Sequence, residues 1–224
     1  MIIAEIGHNH NGSIRLAKLM IEEAKNCGAD AVKFQLYDTD LIKRPWQWRY
    51  YELMAAELCR DDVHQLADQA LKSDIELLFS CFDPERVDWA EEVGVIRHKV
   101  ASRSIYDKNL WERLLETGKP IIASLGAWRG DDLPPFDADY LYCVSEYPAY
   151  IRELPNFDKY AGFSDHTIGC YWAREAIKRG ARIIEKHFTL SKKLPGHNQK
   201  GSADPQELKD FVVYARQHER GINF

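Results

Sequence analysis

GFSDHTIGCYWAREAIKRGARIIEKH, residues 162–187, reads as one strand–helix–strand unit. GFS (162–164) is a short buried strand, Gly169 precedes a helix over 170–179 that stops at Gly180, and RIIEKH (182–187) is a second strand. Two strands joined through a helix pair in parallel with a right-handed crossover. Outward from this unit the same rhythm covers the chain. Earlier strand-like runs are IIAEI (2–6), AVKFQ (31–35), ELLFS (76–80), HKVAS (98–102), PIIAS (120–124) and YLYCV (140–144), which makes eight in all. Helices over 14–27, 62–73, 84–93, 108–117 and 206–218 begin at Ser13, Asp61, Asp83-Pro84, Asp107 and Pro205; three of them close at Gly28, Gly94 and Gly118. Eight such units predict an α/β fold, a closed (β/α)8 TIM barrel spanning 1–224 as a single domain.

Composition agrees and narrows the function. With 45 % hydrophobic residues in 224, the chain buries a full core. Thirty Lys+Arg against 35 Asp+Glu give a net charge of −5, and no basic cluster stands out. That excludes a nucleic-acid or membrane-surface partner. No apolar run approaches the ~18 residues of a spanning helix. The start, MIIAEIGHNHNG, lacks the basic segment of a signal peptide. Five widely spaced cysteines (Cys27, Cys59, Cys81, Cys143 and Cys170) without a C-x-x-C pair predict a reduced, cytoplasmic protein.

Two units break the rhythm. LGAWRGDDLPPFDAD, between strands five and six, and SEYPAYIRELPNFDKYA, between six and seven, are too Pro-rich for full covering helices. The outer faces of those strands are therefore expected to be thinly covered. A homodimer packed there, with Trp128 and Phe136 as anchors, is the expectation. After strand two, RPWQWRYYELM (44–54) concentrates aromatic residues at the end where barrel enzymes keep their sites. It reads either as a ring stripe packed on the barrel or as a substrate wall.

Strand residues alternate inward and outward, so parity shows which side chains share the barrel interior. Glu5 and Gly7 share one face of strand one, Lys33 and Gln35 of strand two, and Cys143, Ser145 and Tyr147 of strand six. Ser164 and His166 share a face of strand seven, and Glu185 and His187 of strand eight; Lys99 lies in strand four with Ser102 just beyond. Ionised groups in strands that otherwise read as core fit only the wet C-terminal mouth of a barrel. His166 and His187 end neighbouring strands about 4.8 Å apart, so both can reach one divalent metal that keeps open coordination places. Lys33 and Lys99 with Ser102, Ser145 and Ser164 suit a small anion bearing phosphate or carboxylate. Nucleotide and acyl-transfer motifs are absent from the sequence.

AEIGHNHNGS (4–13), GADAVKFQ (28–35), KVAS (99–102), SEYPA (145–149), SDHT (164–167), EKHFTL (185–190) and KLPG (193–196) together resemble the N-acetylneuraminate (sialic acid) synthase family. The resemblance runs in order along nearly the whole chain. It implies a (β/α)8 barrel that condenses phosphoenolpyruvate with a sugar aldehyde, using a divalent metal, typically manganese, and releasing phosphate. Carried over by motif, it implies that His166 and His187 hold the metal. Lys33, Lys99, Ser102, Ser145 and Ser164 would hold phosphoenolpyruvate, and Glu5 would be the acid/base. Tyr147 and Glu185, with Asn198, would face the sugar. The sequence also departs from the family. KLPG is followed by His197-Asn198-Gln199 instead of Pro-Asp-His, and Arg103-Ser104 replaces an acidic residue after KVAS. Family members usually carry a C-terminal antifreeze-like domain that swaps across a dimer and supplies an arginine; this chain is expected to be a barrel-only relative without it. A compact relative with altered acceptor specificity is expected. A metal-dependent aldolase or lyase-type barrel, and a non-catalytic sugar-binding barrel, are the alternative readings; neither releases phosphate from phosphoenolpyruvate.

Overall fold

The computed structural model describes residues 1–219. Eight parallel strands close in chain order: β1 (Ile2–Gly7), β2 (Ala31–Leu36), β3 (Glu76–Cys81), β4 (His98–Val100), β5 (Ile121–Ser124), β6 (Asp139–Cys143), β7 (Gly162–Asp165) and β8 (Ile183–His187). Closure is made by β1 against β8, with Ile3 opposite Glu185 and Glu5 opposite His187. Strand four is shorter than the sequence predicts, because Ser102–Ser104 turns into a 3-10 helix that carries Ser102 onto the rim.

Helices α1 (Ile14–Asn26), α4 (Arg60–Lys72), α5 (Pro84–Glu92), α6 (Lys108–Glu116), α7 (Tyr171–Lys178) and α8 (Pro205–Glu219) surround the barrel. Two short helices, α2 (Thr39–Ile42) and α3 (Tyr50–Ala55), lie in the long connection after β2. Ser13, Asp83 and Asp107 cap as the sequence predicts, their side chains accepting from the amides of Leu16, Arg86 and Leu110. α2 has no clear sequence signal; a single turn capped by Asp38 is too short to show periodicity.

The connections after β5 and β6 hold no helix. Their outer faces are nonetheless covered, which corrects the expectation of an exposed apolar surface. Ile121, Ala123 and Tyr140 point outward and are buried. Phe136 stacks on Trp111 at 4.3 Å, Leu154 and Phe157 are buried, and Trp128 stacks on Tyr106 at 5.1 Å. The Tyr140 hydroxyl donates to the carbonyls of Pro134 and Phe136, pinning the proline-rich loop against the strands. Side chains of irregular segments do the work of helices. Loop side chains thus shield the outer faces of β5 and β6 within the chain itself.

Inside the barrel, Ile3, Ala31, Leu78, Ile122, Leu141, Ala161 and Ile183 form an apolar plug. Two residues further along the strands stand Glu5, Lys33, Ser80, Ser124, Cys143 and Glu185, with Lys99 beside Ser80 across the β3–β4 pairing. The plug closes the N-terminal end, and the polar layer forms the floor of an open mouth. Among the described residues no helix is long and apolar enough to cross a membrane, and all five cysteines are free thiols.

Candidate active site

The mouth is a cavity of about 310 Å³. Every site residue predicted from the sequence lines it: Glu5, Lys33, Lys99, Ser102, Ser145, Tyr147, Ser164, His166, Glu185, His187 and Asn198.

Its floor is a charge-alternating layer. The Lys33 ammonium lies 3.2 Å from Glu5 and 3.4 Å from Glu185, and donates to the Ser80 hydroxyl at 2.8 Å. Lys99 lies 3.7 Å from Glu185 and donates to Ser124 at 2.7 Å and to the Val100 carbonyl at 2.9 Å. Gln35 donates to Glu5 at 2.7 Å, and Ser164 to Glu185 at 3.1 Å. All four ions are buried, so each depends on the others for its charge.

Their environments drive the two carboxylates apart. Burial raises the Glu5 pKa, Lys33 only partly offsetting it while Glu185 adds to it. Burial presses on Glu185 too, but Lys33 and Lys99 outweigh it and hold its pKa below the ordinary value. Burial opposes the charge on Lys33, yet Glu185 and Glu5 prevail and raise its pKa. For Lys99 burial wins, lowering the pKa to about 8. One carboxylate disposed to carry a proton beside one held ionised is the arrangement that separates an acid/base from a charge partner.

Above this floor the histidine pair stands with Tyr147. The His166 and His187 rings are 5.9 Å apart, and the Tyr147 ring lies 4.0 Å from the first and 4.9 Å from the second. Behind them Lys186, outward on β8, pairs with buried Asp165 at 3.0 Å, and Asp165 accepts from the Thr167 amide. That clamp fixes the turn bearing His166. Burial holds His166 neutral down to about pH 4 and pushes the His187 pKa well below the ordinary histidine value. Neutral imidazoles are what a metal requires of its ligands, and His187 Nδ1 is buried with no hydrogen-bond partner among the described residues. The pair therefore fits a divalent cation. Cys143 stays a thiol, its pKa raised by burial to about 12, so a thiolate ligand is not offered. Among the described residues no cluster of three or more His, Cys, Asp or Glu side chains gathers in metal-binding geometry, so such an ion would rest on the two imidazoles.

Two glycines make room. A Cβ on Gly126 would stand 2.4 Å from the Ser145 hydroxyl and 2.9 Å from that of Ser102; these hydroxyls are 2.8 Å apart. Gly7, at φ +54°, lies against Glu5, Gln35 and His187, and a Cβ there would crowd Glu5 and Gln35 at 3.0 and 3.2 Å.

Sequence reading missed Ser124, Arg49 and Gly126, and ranked His8 only as a weaker metal candidate. Parity with Ile122 is the signal for Ser124; the others have none, because they reach the mouth from loops. Arg49 contacts Glu52 at 3.0 Å and His8 Nε2 at 2.5 Å, and Glu52 also accepts from the His197 amide. The aromatic segment divides its labour. Tyr50 packs inside, Trp48 lines the mouth edge-on to His197 at 5.0 Å, and Trp46 and Tyr51 are exposed.

The NeuB family profile matches residues 20–134 and 137–223. An uncharacterised protein of Methanocaldococcus jannaschii is 37 % identical, the match covering 94 % of this chain and 68 % of the relative. The N,N'-diacetyllegionaminic acid synthase of Legionella pneumophila is 34 % identical over 97 % of this chain and 72 % of its own length. Among solved structures, the N-acetylneuraminic acid (sialic acid) synthetase of Leptospira borgpetersenii, crystallised with citrate, superposes with a TM-score of 0.88 at 28 % identity. That match covers 100 % of this chain and 85 % of the other.

Proposed function

The chain belongs to the NeuB family, and on that footing we propose that its barrel mouth condenses phosphoenolpyruvate with a sugar aldehyde, giving a 2-keto-3-deoxy sugar acid and inorganic phosphate. It is an enzyme of the sialic acid synthase type, forming a carbon–carbon bond from a phosphoenolpyruvate donor. The observation that carries the residue assignment is the charge-alternating floor, two lysines interleaved with two glutamates beneath the serine rim.

Lys33 and Lys99 neutralise the donor's phosphate and carboxylate, while Ser102, Ser145 and Ser164 donate hydroxyl hydrogen bonds to the same oxygens. The donor's methylene carbon is thereby held against the aldehyde carbon, and positioning of this kind contributes several kcal/mol to such a step. As that bond forms, C2 of the donor becomes electron-deficient. Glu5 takes the proton of a water that adds to C2 and passes it to the former aldehyde oxygen, which becomes a hydroxyl. The C2 hydroxyl of the adduct then collapses to the ketone as the C2–O bond to phosphate breaks, its proton leaving with the phosphate. Glu185, held ionised, keeps both lysines charged and sits opposite the developing positive centre. Tyr147 and Asn198 face the sugar, each with a buried polar oxygen that lacks a protein partner. His166 and His187 would hold a divalent cation, Mn²⁺ being the expected ion. Such a cation supplies charge stabilisation to a carbonyl oxygen that gains negative charge.

Phosphate release from phosphoenolpyruvate with Mn²⁺, followed across a panel of aldoses and N-acylaminosugars, tests the reaction. Acceptor-dependent release is expected, and none with any aldehyde would overturn it. Binding calorimetry tests the metal assignment: His187→Ala should weaken Mn²⁺ about 100-fold while circular dichroism shows the barrel intact. Unchanged affinity in both His166→Ala and His187→Ala would remove the histidines from the metal site.

A further inference from the structure

Three loops of the barrel mouth meet at one ion pair. Arg49, just before α3, is forked onto Glu52, its Nε donating to Oε2 at 3.1 Å and its Nη2 to Oε1 at 3.0 Å. The same guanidinium reaches His8 Nε2, in the turn after β1, at 2.5 Å; arginine only donates, so that nitrogen accepts. On the other side Glu52 Oε1 accepts from the amide of His197, in the loop after β8, at 3.1 Å. Burial opposes the Glu52 charge, but Arg49 and the His197 amide outweigh it and hold its pKa below the ordinary carboxylate value.

Stability does not explain this junction. Glu52 keeps 30 % of its side chain exposed, and ion pairs so open to solvent contribute little to folding. Arg49 has φ +70°, a left-handed backbone that its Cβ disfavours, so the pair forms against a local cost. α3 is anchored by other contacts: Tyr50 and Leu53 are buried, and the Tyr37 hydroxyl donates to the Leu53 carbonyl at 3.0 Å. What the pair holds is the rim. Trp48 lines the cavity with 69 % of its surface exposed. The Arg49 guanidinium lies 5.4 Å from its ring centroid, and the His197 ring meets it at 5.0 Å and 89°. Asn198, next to His197, is buried, and its Oδ1 has no hydrogen-bond partner among the described residues. Beyond it the Gln199 side chain donates to the Asn9 carbonyl at 2.8 Å, so Glu52 supplies the second of two points between which Asn198 is held. An open indole and an unpaired amide oxygen at one rim match a pyranose, with its C–H face and its hydroxyl edge.

We infer that Arg49 and Glu52 are positioning residues for the acceptor: their ion pair ties the segment after β2 to the loops after β1 and β8, and so holds Trp48 and Asn198 as two sides of the wall that receives the sugar. This rests on the condensation proposed above and adds the residues that govern acceptor affinity. Among the described residues neither is paired with Glu5, Lys33, Lys99 or Glu185, so the donor's place at the floor does not depend on them.

The test is a split in steady-state constants, measured with Mn²⁺ and the best acceptor of the aldose and N-acylaminosugar panel. Glu52→Ala and Arg49→Gly should each raise the acceptor KM about tenfold, the loss of one charge-assisted contact, while kcat and the phosphoenolpyruvate KM change less than about twofold. Glycine adopts φ +70° freely, so Arg49→Gly accommodates the turn and removes only the side chain. Arg49→Lys restores the charge without the fork and should recover only part of the loss. A second measurement needs no turnover. By hydrogen–deuterium exchange, peptides spanning 44–54 and 193–199 should exchange at least about tenfold faster in Glu52→Ala and Arg49→Gly, with the barrel strands unaltered. An unchanged acceptor KM, a phosphoenolpyruvate KM that rises as much as the acceptor's, or unaltered exchange in both peptides would each overturn the inference while leaving the condensation standing. No release with any aldehyde would overturn the condensation and the acceptor role with it, and the exchange rates would still decide whether the pair orders the wall.

Discussion

Ile3, Leu78, Ile122 and Ile183 fill the lower interior of the barrel, and two residues along the same strands stand Glu5, Ser80, Ser124 and Glu185. The two layers are about equally buried, none of these eight side chains exceeding 8 % exposure. What burial does to them is opposite. Each aliphatic side chain in the plug contributes roughly 1.5–3 kcal/mol to folding. In the upper layer burial opposes every charge, and only the mutual pairing of Lys33, Lys99, Glu5 and Glu185 sustains them. An apolar filling of that layer would be the more stable protein. The charged layer is thus held at a cost in stability, which the plug below offsets.

The contrast breaks first if Lys33 is dispensable. Lys33→Met leaves Glu185 with Lys99 alone and buried Glu5 with no cation within 4.0 Å among the described residues, and should destabilise the fold by about 3–5 kcal/mol. It should also lower phosphate release by about three orders of magnitude, equivalent to ~4 kcal/mol of barrel-mouth binding and positioning. Denaturant unfolding and a steady-state assay read the two effects, and a stable, active variant would show that the layer is not an interdependent unit. Ile122→Ala probes the other layer. A cavity there should cost ~2–5 kcal/mol of stability while Mn²⁺ affinity changes less than about twofold; a large loss of metal affinity would mean that plug and site are not separable.

The smallest effect is a pH dependence that carries opposite signs for the two properties. The Lys99 pKa lies near 8 in the fold, below the ordinary lysine value of 10.5. Below pH 8 both folded and unfolded chains hold this proton, so the burial penalty is fully present. Between pH 8 and 10.5 the unfolded chain binds the extra proton, so this group's contribution to stability rises with pH. Over the same window the charge facing the donor is lost, and phosphoenolpyruvate affinity should fall by up to about tenfold per pH unit. Donor titrations at pH 7, 8 and 9 in one buffer system check it. Flat affinity across that range would mean that Lys99 does not contact the anion.

Period-two alternation in short strands, punctuated by Asp and Ser caps and terminal glycines, was enough to read eight barrel units. It also showed which residues point inward, because side-chain direction in a strand is a local property. Lys33, Lys99 and Glu185 were legible as residues of the barrel mouth for the same reason, being charges at positions that must be interior. Tertiary structure alone decided the rest. Closure of β1 on β8 sets Glu5 opposite His187, and the same closure makes Lys33 the bridge between Glu5 and Glu185. Arg49 meeting His8, Trp48 meeting His197, and loop aromatics shielding β5 and β6 depend on where irregular segments fold back. Such meetings are set by packing between residues remote in the chain, and no periodicity encodes them. Local pattern therefore determined the orientation of each strand residue, while the pairing of charges, and with it their pKa values, arose only when the barrel closed and excluded water.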